Sequence, residues 1–154
     1  MLLAKIYARY KMDIAEATAR LKKVASELKL PLGERKYTYN SRLAQELGKW
    51  AETEGKGDAF HNAVFRAYFV DGENIGKPDV LKHLADTVGL SILHAGEVLQ
   101  FRTFKDAVDE DWSLSRRMGI TAVPTFVLDG QAVVGAQPYE TLEKFLVTGG
   151  IKRR

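Results

Sequence analysis

Along most of this chain, apolar residues recur every three or four positions, the spacing that gathers them on one face of an α-helix. Leu2, Leu3, Ile6, Tyr7 and Tyr10 form a first stripe, and Ile14, Ala17, Leu21, Val24, Ala25 and Leu28 form a second. Asp13 lies between them with Glu16 three residues on, a capping box, so the pattern predicts two helices or one kinked helix ending before Pro31. Pro31, Gly33 and the alternating Lys36-Tyr-Thr-Tyr39 predict an extended connector over 30–39 that could add a short strand. Asn40 or Ser41 is placed to cap a helix carrying Leu43, Ala44, Leu47 and Trp50 up to Gly55. Another begins near Asp58, carries Phe60, Ala63, Val64, Ala67 and Tyr68, and ends by Gly72. Pro78 suits the first position of a helix through Leu81, Leu84, Ala85 and Val88, closed by Gly89; Ser91 then caps Ile92 to Leu99, and a further helix is predicted from about Thr103 to Met118.

At Gly119 the period changes from helical to extended. Thr125-Phe-Val-Leu128 and Ala132-Val-Val134 flank Asp129-Gly130, a dipeptide that accepts the positive φ values of a two-residue hairpin turn. Pro138 then opens a last amphipathic helix with Leu142, Phe145 and Leu146, ending in Gly149-Gly150. The predicted order is helices, hairpin, helix, with no internal repeat and no low-complexity linker.

Composition narrows the class. With 154 residues, 45% apolar and 28% charged, the chain has the balance of an ordinary globular protein with a real core. No apolar run approaches the roughly 20 residues of a bilayer span, and the start of the chain lacks the apolar region of a signal peptide. No membrane partner is therefore expected. The net charge of +3 comes from interspersed charges, and the one basic run, Lys152-Arg153-Arg154, reads as a solvated tail, so no nucleic-acid partner is expected either. The chain has no cysteine, which excludes disulfides and Cys-ligated zinc and favours a cytoplasmic location. His61, His83 and His94 are not at metal-ligand spacing, and the adjacent carboxylates Asp109-Glu110-Asp111 point in different directions on a helix, so no metal or cofactor is expected.

The remaining candidate chemistry lies in Val123-Pro124-Thr125. A proline opening a strand after a short loop is a plausible cis site, which would turn the Val123 N–H and C=O outward, able to bind an extended peptide as an added strand. A trans proline that merely starts an edge strand is the alternative, and the tripeptide leaves both open.

The longer run Arg117-Met-Gly-Ile-Thr-Ala-Val-Pro-Thr-Phe-Val-Leu-Asp-Gly130, followed by Val133-Val-Gly-Ala-Gln-Pro-Tyr139, resembles the C-terminal part of the DsbA-like thioredoxin family, most closely its FrnE-like branch of cytoplasmic bacterial members. Leu47 to Gly55, Val64-Phe-Arg-Ala-Tyr-Phe69, Ile75-Gly76 and Val80-Leu81 resemble the helical insertion of that branch. The resemblance spans roughly residues 3 to 147. It implies a mostly helical α/β chain: an incomplete thioredoxin-like (DsbA-like) fold, with a helical insertion over 1–118 and the cis-proline loop, β-hairpin and helix over 119–154. It also implies substrate binding by Val123, Pro124 and Thr125, with Phe65 or Phe69 lining an apolar groove beside Pro124. The family's opening strand, Cys-x-x-Cys helix and second strand have no counterpart here. Without those strands the hairpin would expose an apolar edge. The expected compensation is a strand from Arg35–Tyr39 or Leu2–Ala8, a missing N-terminal piece or, preferentially, a homodimer through that edge.

Dithiol exchange requires a thiolate, and no serine or threonine at ordinary pKa replaces it. The chain as written is therefore expected to be redox-inactive. Three readings follow: part of a DsbA-like thiol–disulfide oxidoreductase whose thiols lie on other sequence, a thiol-free module binding peptides or small molecules, and a relative of kappa-class glutathione transferases and 2-hydroxychromene-2-carboxylate isomerases. The last is disfavoured, since the Ser-containing N-terminal motif of those enzymes is also missing.

Overall fold

A computed structural model describes residues 13–152 of the chain. Seven helices and one hairpin follow in the order α1 (Ile14–Glu27), α2 (Arg42–Thr53), α3 (Gly57–Phe69), α4 (Pro78–Thr87), α5 (Ile92–Phe101), α6 (Lys105–Arg117), β1 (Thr125–Leu128), β2 (Gln131–Val134) and α7 (Tyr139–Thr148). The chain clusters into two compact units, divided within α6 between Val108 and Asp109. The stripe at Leu2 to Tyr10 and the Leu2–Ala8 strand alternative lie outside the described residues.

Local chemistry sets the helix ends. The Asp13 carboxylate accepts from the N–H groups of Ala15 (2.7 Å) and Glu16 (3.3 Å), which satisfies two donors that the first turn leaves orphaned. Ahead of α2 it is Asn40, rather than Ser41, whose side chain takes the Arg42 N–H, at 2.8 Å. Pro78 opens α4, and the Ser91 hydroxyl accepts from His94 N–H at 3.3 Å to cap α5. α6 ends in a Schellman turn: Gly119 adopts φ +70°, open to glycine without penalty, and Ile120 N–H donates to Ser115 C=O at 3.0 Å.

The core of the first unit is built by α2 to α5. Leu47 and Ala51 of α2, Phe60 of α3, Leu81 and Ala85 of α4 and Ala95 of α5 are fully buried against one another, with Ile75 and Leu90 closing the layer from the connections. α1 differs, because Leu21, Val24 and Leu28 on its apolar stripe stay exposed.

One polar side chain enters this core. Glu46 of α2 is fully buried, although the apolar pattern puts it between Ala44 and Leu47 as a polar interruption. Its carboxylate accepts from Arg42 Nε one turn back (2.6 Å) and from Arg102 Nε (2.5 Å) and Nη2 (2.6 Å). Arg42 Nη2 also donates to the Lys105 carbonyl at 2.8 Å, tying the start of α6 to α2. Arg102 caps α5 in the left-handed region at φ +54°, which costs a residue with a Cβ on the order of 1–3 kcal/mol unless its surroundings hold it there. The two bonds to Glu46 supply that hold.

In the second unit β1 and β2 pair antiparallel in the register Thr125↔Val134, Phe126↔Val133, Val127↔Ala132 and Leu128↔Gln131. Asp129 (φ +48°) and Gly130 (φ +75°) form the turn, both positive as a two-residue type I′ hairpin requires. The sheet has two strands among the described residues. Residues 30–39 form an extended connector in which Tyr37 is a single β-bridge position, and Gly33 N–H donates to Phe69 C=O at 2.9 Å, at the end of α3.

Removing one partner of a buried, hydrogen-bonded ion cluster leaves uncompensated charge, so Glu46→Ala should destabilise the chain by about 3–5 kcal/mol in urea unfolding. The Arg102 hydrogen bonds, reinforced by Arg42 against the opposing effect of burial, hold the Glu46 carboxyl below its ordinary value of 4.5. A lowered native pKa gives stability that is complete above the ordinary value and is lost as pH falls through the native one. The stability gap between wild type and Glu46→Gln should thus be constant near neutral pH and shrink progressively below pH 4.5. A gap independent of pH down to acid unfolding would contradict this assignment.

Candidate functional site

The sequence-derived site residues fall in both units, and each group has its own local setting. In the second unit, the chain leaves α6 at Gly119 and reaches β1 through Val123-Pro124-Thr125. The Val123–Pro124 peptide bond is cis. Val123 is 88% exposed, and among the described residues neither its N–H nor its C=O has a hydrogen-bond partner. The segment on either side of it is held. Thr125 Oγ1 donates to Ala122 C=O at 2.6 Å, and Pro124 C=O accepts from Gly135 N–H at 2.8 Å, one step beyond the ladder. Gln137 Nε2 donates to Val134 C=O at 2.8 Å and steadies the turn into α7. An exposed backbone donor and acceptor on a braced loop can add an extended segment by main-chain hydrogen bonds.

The surface around this loop is apolar and lacks a core. From Asp109 to Lys152 no residue is buried, and Phe126, Val127, Val134, Leu146 and Val147 are all exposed. α7 meets the hairpin at Gly149, where a Cβ would lie 2.1 Å from a Leu128 methyl and would force that side chain to move.

Phe65 and Phe69 lie on α3 in the first unit, on the wall of a cleft of 390 Å³. Every residue lining this cleft belongs to the first unit. Tyr39 and Tyr68 add two more rings, in edge-to-face contact at 6.4 Å, and Tyr68 meets Phe69 edge to face at 4.9 Å. Two polar pairs lie along the wall. Thr38 Oγ1 and Tyr68 OH are 3.0 Å apart, and Gln45 Nε2 donates to Ser41 Oγ at 2.9 Å. His61 also lines the cleft, its Nε2 3.9 Å from Glu52 Oε1. A Cβ on Gly48 would come within 2.7 Å of that imidazole, so the glycine leaves it room.

Sequence reasoning missed Arg35. Its guanidinium carbon lies 4.3 Å from the Tyr68 ring centroid and 4.7 Å from that of Phe69. The only available signal was a cation in an aromatic-rich connector, which does not say which ring it will meet. Among the described residues no cluster of three His, Cys, Asp or Glu side chains could hold a metal ion, and no helix is long and apolar enough to cross a membrane.

Comparison with known proteins agrees with this arrangement. Residues 5–147 match the family described as DSBA-like thioredoxin domain, and the chain belongs to that family. It is 34% identical over 103 residues to the uncharacterized protein YwbO of Bacillus subtilis (strain 168), a match covering 66% of this chain and 52% of YwbO. The chain thus spans about half the length of that relative. The fold is similar to that of a probable DsbA oxidoreductase of Streptomyces coelicolor, with a TM-score of 0.82 and 27% identity over 99% of this chain and 68% of the other. The molecule is accordingly a mostly helical chain of the DsbA-like thioredoxin class that carries no cysteine.

The cleft's aromatic wall depends on the connector lying against α3. An alanine Cβ at Gly33 would sit 1.9 Å from the Val70 carbonyl oxygen, a backbone atom that cannot swing aside. Gly33→Ala should lower stability by about 1–3 kcal/mol and alter the near-ultraviolet circular dichroism of the tyrosines. An unchanged melting temperature and spectrum would show that the connector is not held as described.

Proposed function

We propose that this chain is the substrate-holding part of a DsbA-like thiol–disulfide oxidoreductase, binding extended polypeptide through the Val123 backbone while the reactive thiols come from other sequence. The observation that carries this reading is the exposed, unpartnered Val123 N–H and C=O on a braced loop, in a family member without a thiol. The chain's own side chains supply no thiolate, so attack on a disulfide falls outside its chemistry. The match to 52% of one relative and 68% of a solved structure supports a reading in which the family's complete machinery exceeds these residues. Genomic sequence upstream of Met1 is the test of this reading: a Cys-x-x-Cys motif encoded there in frame is the expected result, and its absence counts against the reading. The Gly135-Ala-Gln-Pro138 turn supports placement in the FrnE-like branch, and with it a cytoplasmic location.

A second reading, a thiol-free peptide-binding module, rests on the same backbone groups and differs only in having no thiol partner. Both require peptide binding at Val123. Val123→Pro deletes the donor N–H, whereas Val123→Ala keeps it. Fluorescence anisotropy with a labelled unstructured peptide should show Val123→Pro binding about three- to tenfold more weakly, the worth of one net hydrogen bond, and Val123→Ala close to wild type. Equal affinity for all three proteins would rule out both readings.

The absence of buried residues from Asp109 to Lys152 supports a second element of the proposal, that another strand covers the hairpin edge. A two-stranded sheet is marginal alone in water, and Phe126 and Val127 stand exposed on β1. The favoured partner is a second copy of this chain, giving a homodimer through the hairpin. Sedimentation equilibrium at tens of micromolar should then report a dimer, and Phe126→Lys, which places a charge on the edge, should return a monomer. A monomeric wild-type chain would remove the homodimer.

A further inference from the structure

We propose that the apolar stripe of α1 is a contact surface for α1 of a second copy of this chain, the two helices lying antiparallel as a short coiled coil. The contact involves the first unit alone. It rests on neither the peptide reading nor the hairpin dimer, so each fails by its own test.

Among the described residues α1 brings no buried side chain to the core of the first unit. Its apolar positions Ala17, Leu21, Val24 and Leu28 follow one another at spacings of four, three and four, the heptad pattern of a coiled-coil seam. Leu21, Val24 and Leu28 all stand exposed. An ion pair between Lys22 and Glu34 at 3.0 Å ties the helix to the connector. At about 100° per residue, Lys22 lies on the flank opposite Arg20 and Glu27, so this tie leaves the seam and that charged flank open.

Side-chain size selects the orientation. In a parallel pair each seam residue faces its own copy, and two Ala17 methyls would meet across a gap. In an antiparallel pair centred between Lys22 and Lys23, Ala17 faces the partner's Leu28 and Leu21 faces the partner's Val24, so small residues meet large ones. The uncharged flank holds Thr18 and Ala25, small enough for the two helices to approach closely.

Charge selects the register. Arg20 and Glu27 border the seam on one side, and the same antiparallel alignment sets Arg20 beside the partner's Glu27, twice over by symmetry. Sliding the pair by one heptad either way would set Arg20 against Arg20 or Glu27 against Glu27. Arg20 has no ion-pair partner among the described residues, and Glu27 meets Lys23 only at 3.9 Å, both side chains exposed. A helix about 21 Å long offers far less than the roughly 1,600 Å² of a standard interface, so the contact is weak. A Phe126→Lys chain accordingly stays monomeric at tens of micromolar and pairs through α1 at higher concentration.

The chain has no cysteine, so single-cysteine variants report this contact without background. The full chain carrying Phe126→Lys, at hundreds of micromolar, is prepared as Ala17→Cys and as Leu28→Cys, and the two are mixed under mild oxidation. The mixed disulfide, resolved by mass, should be the main product, because the two positions share a layer while two copies of position 17 stand roughly 16 Å apart. Arg20→Glu in both chains should cut its yield about fivefold or more. Arg20→Glu in one chain with Glu27→Arg in the other should restore it, which also shows that the substituted chains fold. The proposal is overturned by a statistical mixture of the three disulfides, by symmetric disulfides as the main products, or by failure of the paired charge reversal to restore the yield. Absence of any disulfide overturns it too, and assigns the stripe to an occupant other than a second copy.

Discussion

A single buried carboxylate organises the first unit. Glu46 sits inside a helical core at no exposure, tolerable only because Arg42 and Arg102 surround it with charge-assisted hydrogen bonds. Arg42 reaches it along one helix, an ordinary i,i+4 pair. Arg102 reaches it from the end of α5, in a left-handed backbone conformation that few residues with a side chain adopt. Through Arg42 the same cluster reaches the Lys105 carbonyl at the start of α6. α2, the end of α5 and the start of α6 therefore meet at one charged point. A purely apolar residue at 46 could pack as well, but it would not specify which turn of α5 ends beside it.

The second unit has the opposite character. Its local structure is well determined, with a regular hairpin register, a type I′ turn and a loop braced on both sides of Val123, yet none of its residues is buried. Main-chain hydrogen bonds define such a structure without making it stable alone, because the apolar side chains that should be withdrawn from water are not. Val123, Phe126 and Val127 are all exposed in this unit. The chain belongs to the DsbA-like thioredoxin family and carries no cysteine, so its own side chains offer no thiolate.

Much of this was legible in the chain. The 3.6-residue stripes located the helices, because burying one face of a helix demands that spacing whatever the neighbours are. Asp13, Pro78, Ser91 and Gly119 marked helix ends through bonds that close within a few residues, and Asp129-Gly130 announced the turn because its φ values are local property. The same locality explains the smaller departures. Asn40 and Ser41 were equivalent candidates for one N–H, and only the direction of the incoming chain selected Asn40. Residues 30–39 form the extended connector that their alternation predicts, tied to α3 through Gly33, Arg35 and Thr38.

What the order of residues established, then, is everything that hydrogen bonds and side-chain periodicity settle over a few positions: helices, caps, the hairpin, the Val123-Pro124-Thr125 loop and the lack of any sulfhydryl. What needed the folded molecule was every pairing of distant residues. Glu46 with Arg102 spans 56 positions, and Thr38 with Tyr68 spans 30. A polar residue in an apolar stripe, or an arginine among tyrosines, has no preferred distant partner until packing brings one within a few ångströms. Electrostatic and stacking contacts act only at that range, so the charge cluster and the cation beside the cleft belong to the fold.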